Sequence, residues 1–190
     1  PAPSSATPRT NRAPTFLVSA GCSGLLGVDA SAAALSTKAE IGILPHLTAA
    51  ARLEYPLESP DLGGGSSLSV APAFAGAGIG LPISGPDALI IPRFGAGLGV
   101  AWVTATRPEG FSFTPGGAVM GPETSDSTAS FAMYADAGLS LRLYRALRMT
   151  VDGAFGATTS RIVVRDLGVH AAYWGQPFAA LALRLELMIK

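Results

Sequence analysis

The sequence predicts an all-β protein, a single eight-stranded antiparallel up-and-down barrel over residues 14–190 preceded by a Pro/Ser/Thr-rich leader over residues 1–13. Three observations point there. Long segments alternate apolar and polar residues with a period of two, which marks strands whose faces meet different surroundings. Short and long connections alternate along the chain. The chain is also apolar without any long apolar run: 48% of its 190 residues are hydrophobic and the mean hydropathy is +0.39, yet no stretch reaches the roughly 18 residues of a membrane-spanning helix.

Composition excludes several classes. The apolar content is too high for a disordered chain. Thirteen basic and thirteen acidic residues cancel, leaving no basic footprint for nucleic acid. Cys22 is the single cysteine, so no internal disulfide or cysteine zinc site forms, and His46 and His170 alone make no metal site. No cofactor is expected. The chain opens at Pro1 without the basic start and apolar core of a secretory signal, and reads as a processed form.

The elements follow in order. The leader PAPSSATPRTNRA cannot bury a face. A first strand at 14–28 sets Phe16, Val18, Ala20 and Cys22 against Ser19, Gly21 and Ser23. A short second strand at 37–44 sets Ala39, Ile41 and Ile43 against Lys38 and Glu40, and a third at 47–57 sets Leu47, Ala49, Ala51, Leu53 and Tyr55 against Thr48, Arg52 and Glu54. The fourth, 68–82, is apolar on both parities and admits two phases; aligning the glycines of 76–80 with those of 95–99 favours Ala73, Ala75, Ala77, Ile79 and Leu81 as its apolar side. The fifth, 88–105, carries Phe94, Leu98, Val100 and Trp102 opposite Arg93 and a glycine row. The sixth, 128–144, sets Phe131, Met133, Leu139, Leu141 and Leu143 against Tyr134, Asp136 and Arg142. The seventh, 147–162, opposes Leu147, Met149, Val151 and Phe155 to Arg148 and Asp152, and the last, 176–190, opposes Leu181, Leu183, Leu185, Leu187 and Ile189 to Arg184 and Glu186.

Tight connections fall at 45–46, 84–87 and 145–146, and longer ones at about 29–36, 58–67, 106–127 and 163–175. In an up-and-down sheet this collects every tight turn at one end and every long loop at the other, the arrangement of a transmembrane β-barrel. Charge decides which face looks outward. Eight strands leave an interior just wide enough for side chains. The polar parity mixes charged with small residues that interdigitate there. The apolar parity lacks charges altogether, as a lipid-facing surface must, at about 2–4 kcal/mol for each Arg or Lys near the midplane. Except for the second, each strand reaches the roughly 9–11 residues needed to cross the hydrocarbon. Tyr55, Trp102, Phe131, Trp174 and Phe178 fall at the long-loop side, and Tyr144 and Phe16 at the short-turn side, as interface aromatics.

With the strand Pro92-Arg93-Phe94-Gly95-Ala96-Gly97-Leu98-Gly99 and the closing strand from Pro177 to Ile189, residues 14–190 resemble the eight-stranded outer-membrane barrels, the OmpA-like and OmpX-like domains. That family typically closes on an aromatic residue, where this chain ends Met188-Ile189-Lys190. The resemblance implies a bacterial outer-membrane location, with lipid and lipopolysaccharide as surroundings and both termini periplasmic.

The inward charges Lys38, Glu40, Arg52, Glu54, Arg93, Asp136, Arg142, Arg148, Asp152, Arg184 and Glu186 are expected to form a self-neutralising interior, since buried charges persist only when paired; a gated pore is the sharper reading. The glycine runs of 76–80 and 95–99 lack dinucleotide spacing and open no helix. Ser160, Asp166 and His170 are the only set that a lipid A-modifying enzyme could use. The loop 106–127, with Phe111 and Phe113, and the leader 1–13 are candidate contacts for an envelope protein partner. A non-enzymatic structural or anchoring role is expected, with a narrow channel or small-solute porin as the alternative and a lipid A-modifying enzyme behind it.

Overall fold

A computed structural model describes residues 15–59, 68–107, 110–114, 117–121, 124–166 and 169–189, and the leader 1–13 lies outside them. Eight long strands close the barrel: β1 (Phe16–Leu26), β2 (Ser31–Leu44), β3 (Leu47–Pro56), β4 (Ser69–Pro82), β5 (Ile90–Arg107), β8 (Thr124–Tyr144), β9 (Leu147–Thr158) and β12 (Phe178–Ile189). Every neighbouring pair is antiparallel, and β1 meets β12 to close the ring. Two ribbons stand outside the ring, β6 (Gly110–Thr114) with β7 (Gly117–Gly121) and β10 (Ile162–Asp166) with β11 (Val169–Trp174).

The register sets the barrel's slant. Pairing runs from Phe16 through Ile41, Ala49, Ile79, Ala96, Ala135, Phe155 and Ala179 back to β1 at Leu26, ten residues beyond its start. At about 3.3 Å per residue against eight spacings of about 4.8 Å, that stagger tilts the strands by roughly 40°.

Every residue on the path just named is Phe, Ile, Ala or Leu, and all face outward. Leu98 is 67% exposed, Phe131 72% and Leu181 61%, whereas Arg148 and Arg184 are at 0% and 1%. Along the outward parity of the eight strands, among the described residues, there is no Asp, Glu, Lys or Arg. The phase of β4 is the favoured one, with Ala77, Ile79 and Leu81 exposed and Phe74 inside.

Three boundaries differ from the sequence reading. First, β2 begins at Ser31 rather than 37 and has 14 residues, because Ala32 and Ala34 turn inward, pairing with Leu25 and Ser23 across β1. Alanine is a weak strand former on its own, and burial in a crowded wall overrides that. Second, the expected loop 106–127 is largely strand, since β5 and β8 pair up to Arg107 and Thr124 and the hairpin β6–β7 follows. Third, β9 stops at Thr158, and the β-branched run from Ile162 leaves the wall as β10, burying Ile162 and Val164 with Leu68, Val70 and Val103 over the long-loop end.

The glycine row makes room for interior rings. A Cβ on Gly97 would meet the Tyr134 hydroxyl at 2.6 Å, and one on Gly99 would meet the Phe74 ring at 2.8 Å. Gly97→Leu therefore overpacks the interior and is expected to lower stability by about 1–3 kcal/mol. Leu98→Val, one residue along on the outer face, should cost clearly less; urea unfolding of both variants in lipid vesicles checks the contrast.

Candidate functional site

The interior is the site that the strands build. Because the polar parity of each strand points inward, ten ionisable side chains from β2, β3, β5, β8, β9 and β12 converge in the half nearer the tight turns. Five are basic (Lys38, Arg52, Arg93, Arg148, Arg184) and five acidic (Glu40, Glu54, Asp136, Asp152, Glu186), and they form an ion-paired interior in two sets, Lys38, Glu40, Arg93, Asp136, Arg148 and Glu186 in one and Arg52, Glu54, Asp152 and Arg184 in the other.

Two hubs organise it. Arg93 forks onto Glu186, with Nη1 at 2.5 Å and Nη2 at 2.8 Å from its two oxygens, and reaches Glu40 at 3.5 Å. Lys38 joins Glu40 at 2.7 Å to Asp136 at 3.3 Å. Above this hub, Arg184 donates to Asp152 and, at 2.6 Å, to the Ser36 hydroxyl, and lies 3.7 Å from Glu54. Glu54, fully buried, also accepts from Arg52 at 2.7 Å, from Ser36 at 2.9 Å and from the Ser23 hydroxyl. Charge-assisted, two-pronged bonds of this sort are the strongest that side chains make; Glu40, Glu54 and Glu186 each accept from more than one donor, whereas Asp136 accepts from Lys38 and Asp152 from Arg184.

Arg148 closes the floor. Its Nη2 donates to the carbonyls of Ala88 at 2.9 Å and Ser140 at 3.2 Å, and Nη1 donates to that of Pro86 at 3.2 Å, which fastens the β4–β5 turn across the barrel mouth. Its Nε donates to Ser140 Oγ at 2.8 Å, which in turn donates to Glu186 at 3.2 Å. Arg142, also assigned to the interior, is only half-buried at this same end, opposite Arg148 in the register.

The other half of the lumen is aromatic. Arg52 marks the junction, its guanidinium carbon 5.6 Å from the Tyr134 ring centre and 6.0 Å from that of Phe74. Phe74 packs edge-on to Tyr134 at 5.3 Å and against Phe178 at 5.4 Å, and Phe178 stacks on Trp174 at 5.3 Å. The rings fill the lumen beneath the cap of β10, so that ionic and apolar layers occupy it from one end to the other.

The sequence matches no family model and no curated protein. Comparison with solved structures finds the same barrel elsewhere. The outer-membrane protein OprG of Pseudomonas aeruginosa superposes with a TM-score of 0.62 at 9% identity, covering 93% of this chain and 96% of OprG. Neisserial surface protein A gives 0.55 at 11% identity over 92% and 96% of the two chains. The N-terminal β-barrel domain of Pseudomonas aeruginosa OprF gives 0.54 at 9% identity over 91% and 97%. This chain has the fold of the eight-stranded outer-membrane barrels.

Within that barrel the sequence-chosen residues separate into three groups. Tyr55, Trp102, Phe131 and Tyr144 sit on the outward parity, Phe131, Tyr144 and Tyr55 well exposed and Trp102 half-buried. Trp174 and Phe178 do not: expected as interface aromatics, they are 0% and 2% exposed in the interior stack. Phe178 shares the parity of Arg184 and Glu186, a signal legible in the sequence, whereas Trp174 enters only because β11 folds back over the mouth. Phe111 and Phe113 lie on β6, pairing with Met120 and Ala118; their side chains are outside the described residues.

Ser160, Asp166 and His170 are not brought together. The backbone puts Ser160 at the base of the β10–β11 ribbon, hydrogen-bonded to Ser130 at 2.9 Å, and the other two at its far end, beside the Asp166–Val169 pair. Four strand steps from Ile162 to Asp166 alone span about 13 Å.

Removing one member of the net leaves its partners charged and dry. Arg184→Met is expected to destabilise the barrel by about 3–5 kcal/mol, and adding Asp152→Asn should recover part of that loss in the same urea titration. Arg148→Ala releases the β4–β5 turn instead. Hydrogen exchange followed by mass spectrometry is expected to show faster labelling of residues 83–89 while β12 stays protected.

Proposed function

We propose that this chain is an integral protein of the bacterial outer membrane with a non-enzymatic, anchoring role. The observation that carries the reading is the charge-free apolar belt around a barrel that encloses ten paired charges of its wall. Such a surface is sticky in water and required in hydrocarbon. In this reading the tight turns and both ends of the chain face the periplasm, and the ribbons β6–β7 and β10–β11 stand outside. Phe16 and Ile189 pair at the tight-turn end, which supports a common side for the termini. The outward aromatics Tyr55, Trp102, Phe131 and Tyr144 then anchor the belt at its two interfaces.

The layered filling of the lumen favours anchoring over conduction, because a pore would have to break paired buried charges and unstack four rings. The segment 1–13 and the β6–β7 ribbon, with Phe111 and Phe113, are the proposed contacts for an envelope partner. The fold neighbours include surface proteins and an attachment protein of Yersinia pestis, and presentation of outer ribbons fits that company.

The test is insertion. Leu183 lies mid-wall between Cys22 and Val151, so Leu183→Arg is expected to weaken folding into vesicles by about 2–4 kcal/mol, while Thr106→Arg, above the belt, leaves it unchanged. A parent protein that stays monomeric in buffer without detergent, with Leu183→Arg equally well folded, overturns the membrane reading. Steady unit conductance of the parent in planar bilayers would move the assignment to a channel.

A further inference from the structure

The wall has a notch at one place. Pairing of β1 with β12 ends at Leu26 and Ala179, and beyond that pair the two strands part. An apolar groove of about 200 Å³ opens there between Leu26, Val28, Phe155, Pro177 and Ala179, with Phe178 lining its inner side. The volume falls below the roughly 300–1,000 Å³ of a site that encloses a whole small ligand, so it accommodates one chain of a larger molecule. Its walls contain no charged side chain.

A cation is tied to its rim through two residues. Val28 leads into Asp29, which is tied to Tyr173 twice: the Asp29 N–H donates to the Tyr173 carbonyl at 3.3 Å, and the Tyr173 N–H donates to Asp29 Oδ2 at 2.8 Å. The Tyr173 ring in turn carries the exposed Arg161 guanidinium, 4.8 Å from its centre. Stacking orients the fork of Arg161 before any ligand arrives, and a guanidinium so held matches phosphate oxygens two at a time. Asp29 itself has one carboxylate oxygen committed to the Tyr173 amide. Behind the notch, Trp174 Nε1 is buried without a hydrogen-bond partner among the described residues, 2.5 Å from where a side chain on Gly27 would begin.

We propose that this notch and Arg161 form a binding site for one molecule of lipid A, an acyl chain lying in the groove and a phosphate on the guanidinium. The inference rests on the membrane reading above, which turns the long-loop end toward the outer leaflet, where the phosphorylated acylated lipid is lipid A. The chemistry needs both halves: the groove alone takes any hydrocarbon, and the arginine alone takes any anion.

Native mass spectrometry of the detergent-purified full chain, titrated with lipid A or with phosphatidylglycerol, tests it. Lipid A is expected to be retained at lower concentration than phosphatidylglycerol. Arg161→Gln should weaken its apparent affinity by about tenfold to a hundredfold, the worth of a charge-assisted bond. Ala179→Trp, which fills the groove from the outer face, should weaken it independently, and Leu98→Trp on β5 should leave it at the parent value. Phosphatidylglycerol held as tightly as lipid A, or both site variants binding like the parent, overturns the proposal. Failure of the parent to insert into vesicles strikes the membrane reading instead, so the two failures are told apart.

Discussion

An eight-stranded barrel encloses a space that side chains can fill and little more, and its outer face in lipid can carry no charge. Together these constraints turn every Asp, Glu, Lys and Arg of the wall, among the described residues, toward the inward parity, where a buried charge must find an opposite one within reach. The five bases and five acids of the interior meet that demand. Each comes from a strand that is fixed by its neighbours on both sides, so the ion pairs and the wall define each other: a slip of one residue in any of those strands would turn a charge onto the apolar outer face. Buried ion pairs add little net stability compared with apolar packing. Their weight here lies in specificity, since the observed register gives each of the ten groups an opposite charge within ion-pair distance.

The layering of the lumen follows from the same geometry. Arg52 belongs to both layers, bonded to Glu54 at 2.7 Å and lying 5.6 Å from the Tyr134 ring, so no seam of unmatched polarity separates ions from aromatics. The rings fit because the stretch of wall they lie against is glycine: Gly76 and Gly99 meet Phe74, and Gly97 meets Tyr134. Arg148 and the β10 ribbon then close the two mouths, one with hydrogen bonds to a turn, the other with Ile162 and Val164. A molecule so filled presents its rim and its outer wall, which is where the apolar notch and the projecting ribbons lie.

The legibility of this fold was uneven for physical reasons. Where one face is leucine and the other arginine or aspartate, as in β8, β9 and β12, period two reveals strand, orientation and neighbours at once. Where both faces are small, as at Ala32–Ala34 or along β4, alternation disappears, and only pairing with Leu25 or with the glycines of β5 assigns the phase. The hairpin β6–β7 had a signal, the alternation of Gly110-Phe111-Ser112-Phe113-Thr114 before Pro115-Gly116, but local polarity made it resemble a loop. Residues 159–162 looked like more of β9, and Val163 and Val164 fell in the expected loop; that the β-branched run leaves the wall as a strand of its own depends on the apolar mouth it covers.

By itself, the sequence determined the number of barrel strands, their order, the side on which tight turns gather and which parity carries the charge, because these are properties of residue type at period two. Tertiary structure alone decided which acid meets which base, that Trp174 and Phe178 plug the lumen instead of lining the interface, and that β1 and β12 part into a notch tied to Arg161 through two residues. Apart from the inward turn of Phe178, which its parity already carried, those outcomes depend on the ten-residue stagger around the ring and on the folding back of β11, both of which bring together residues far apart in the chain, and no local pattern encodes such distances.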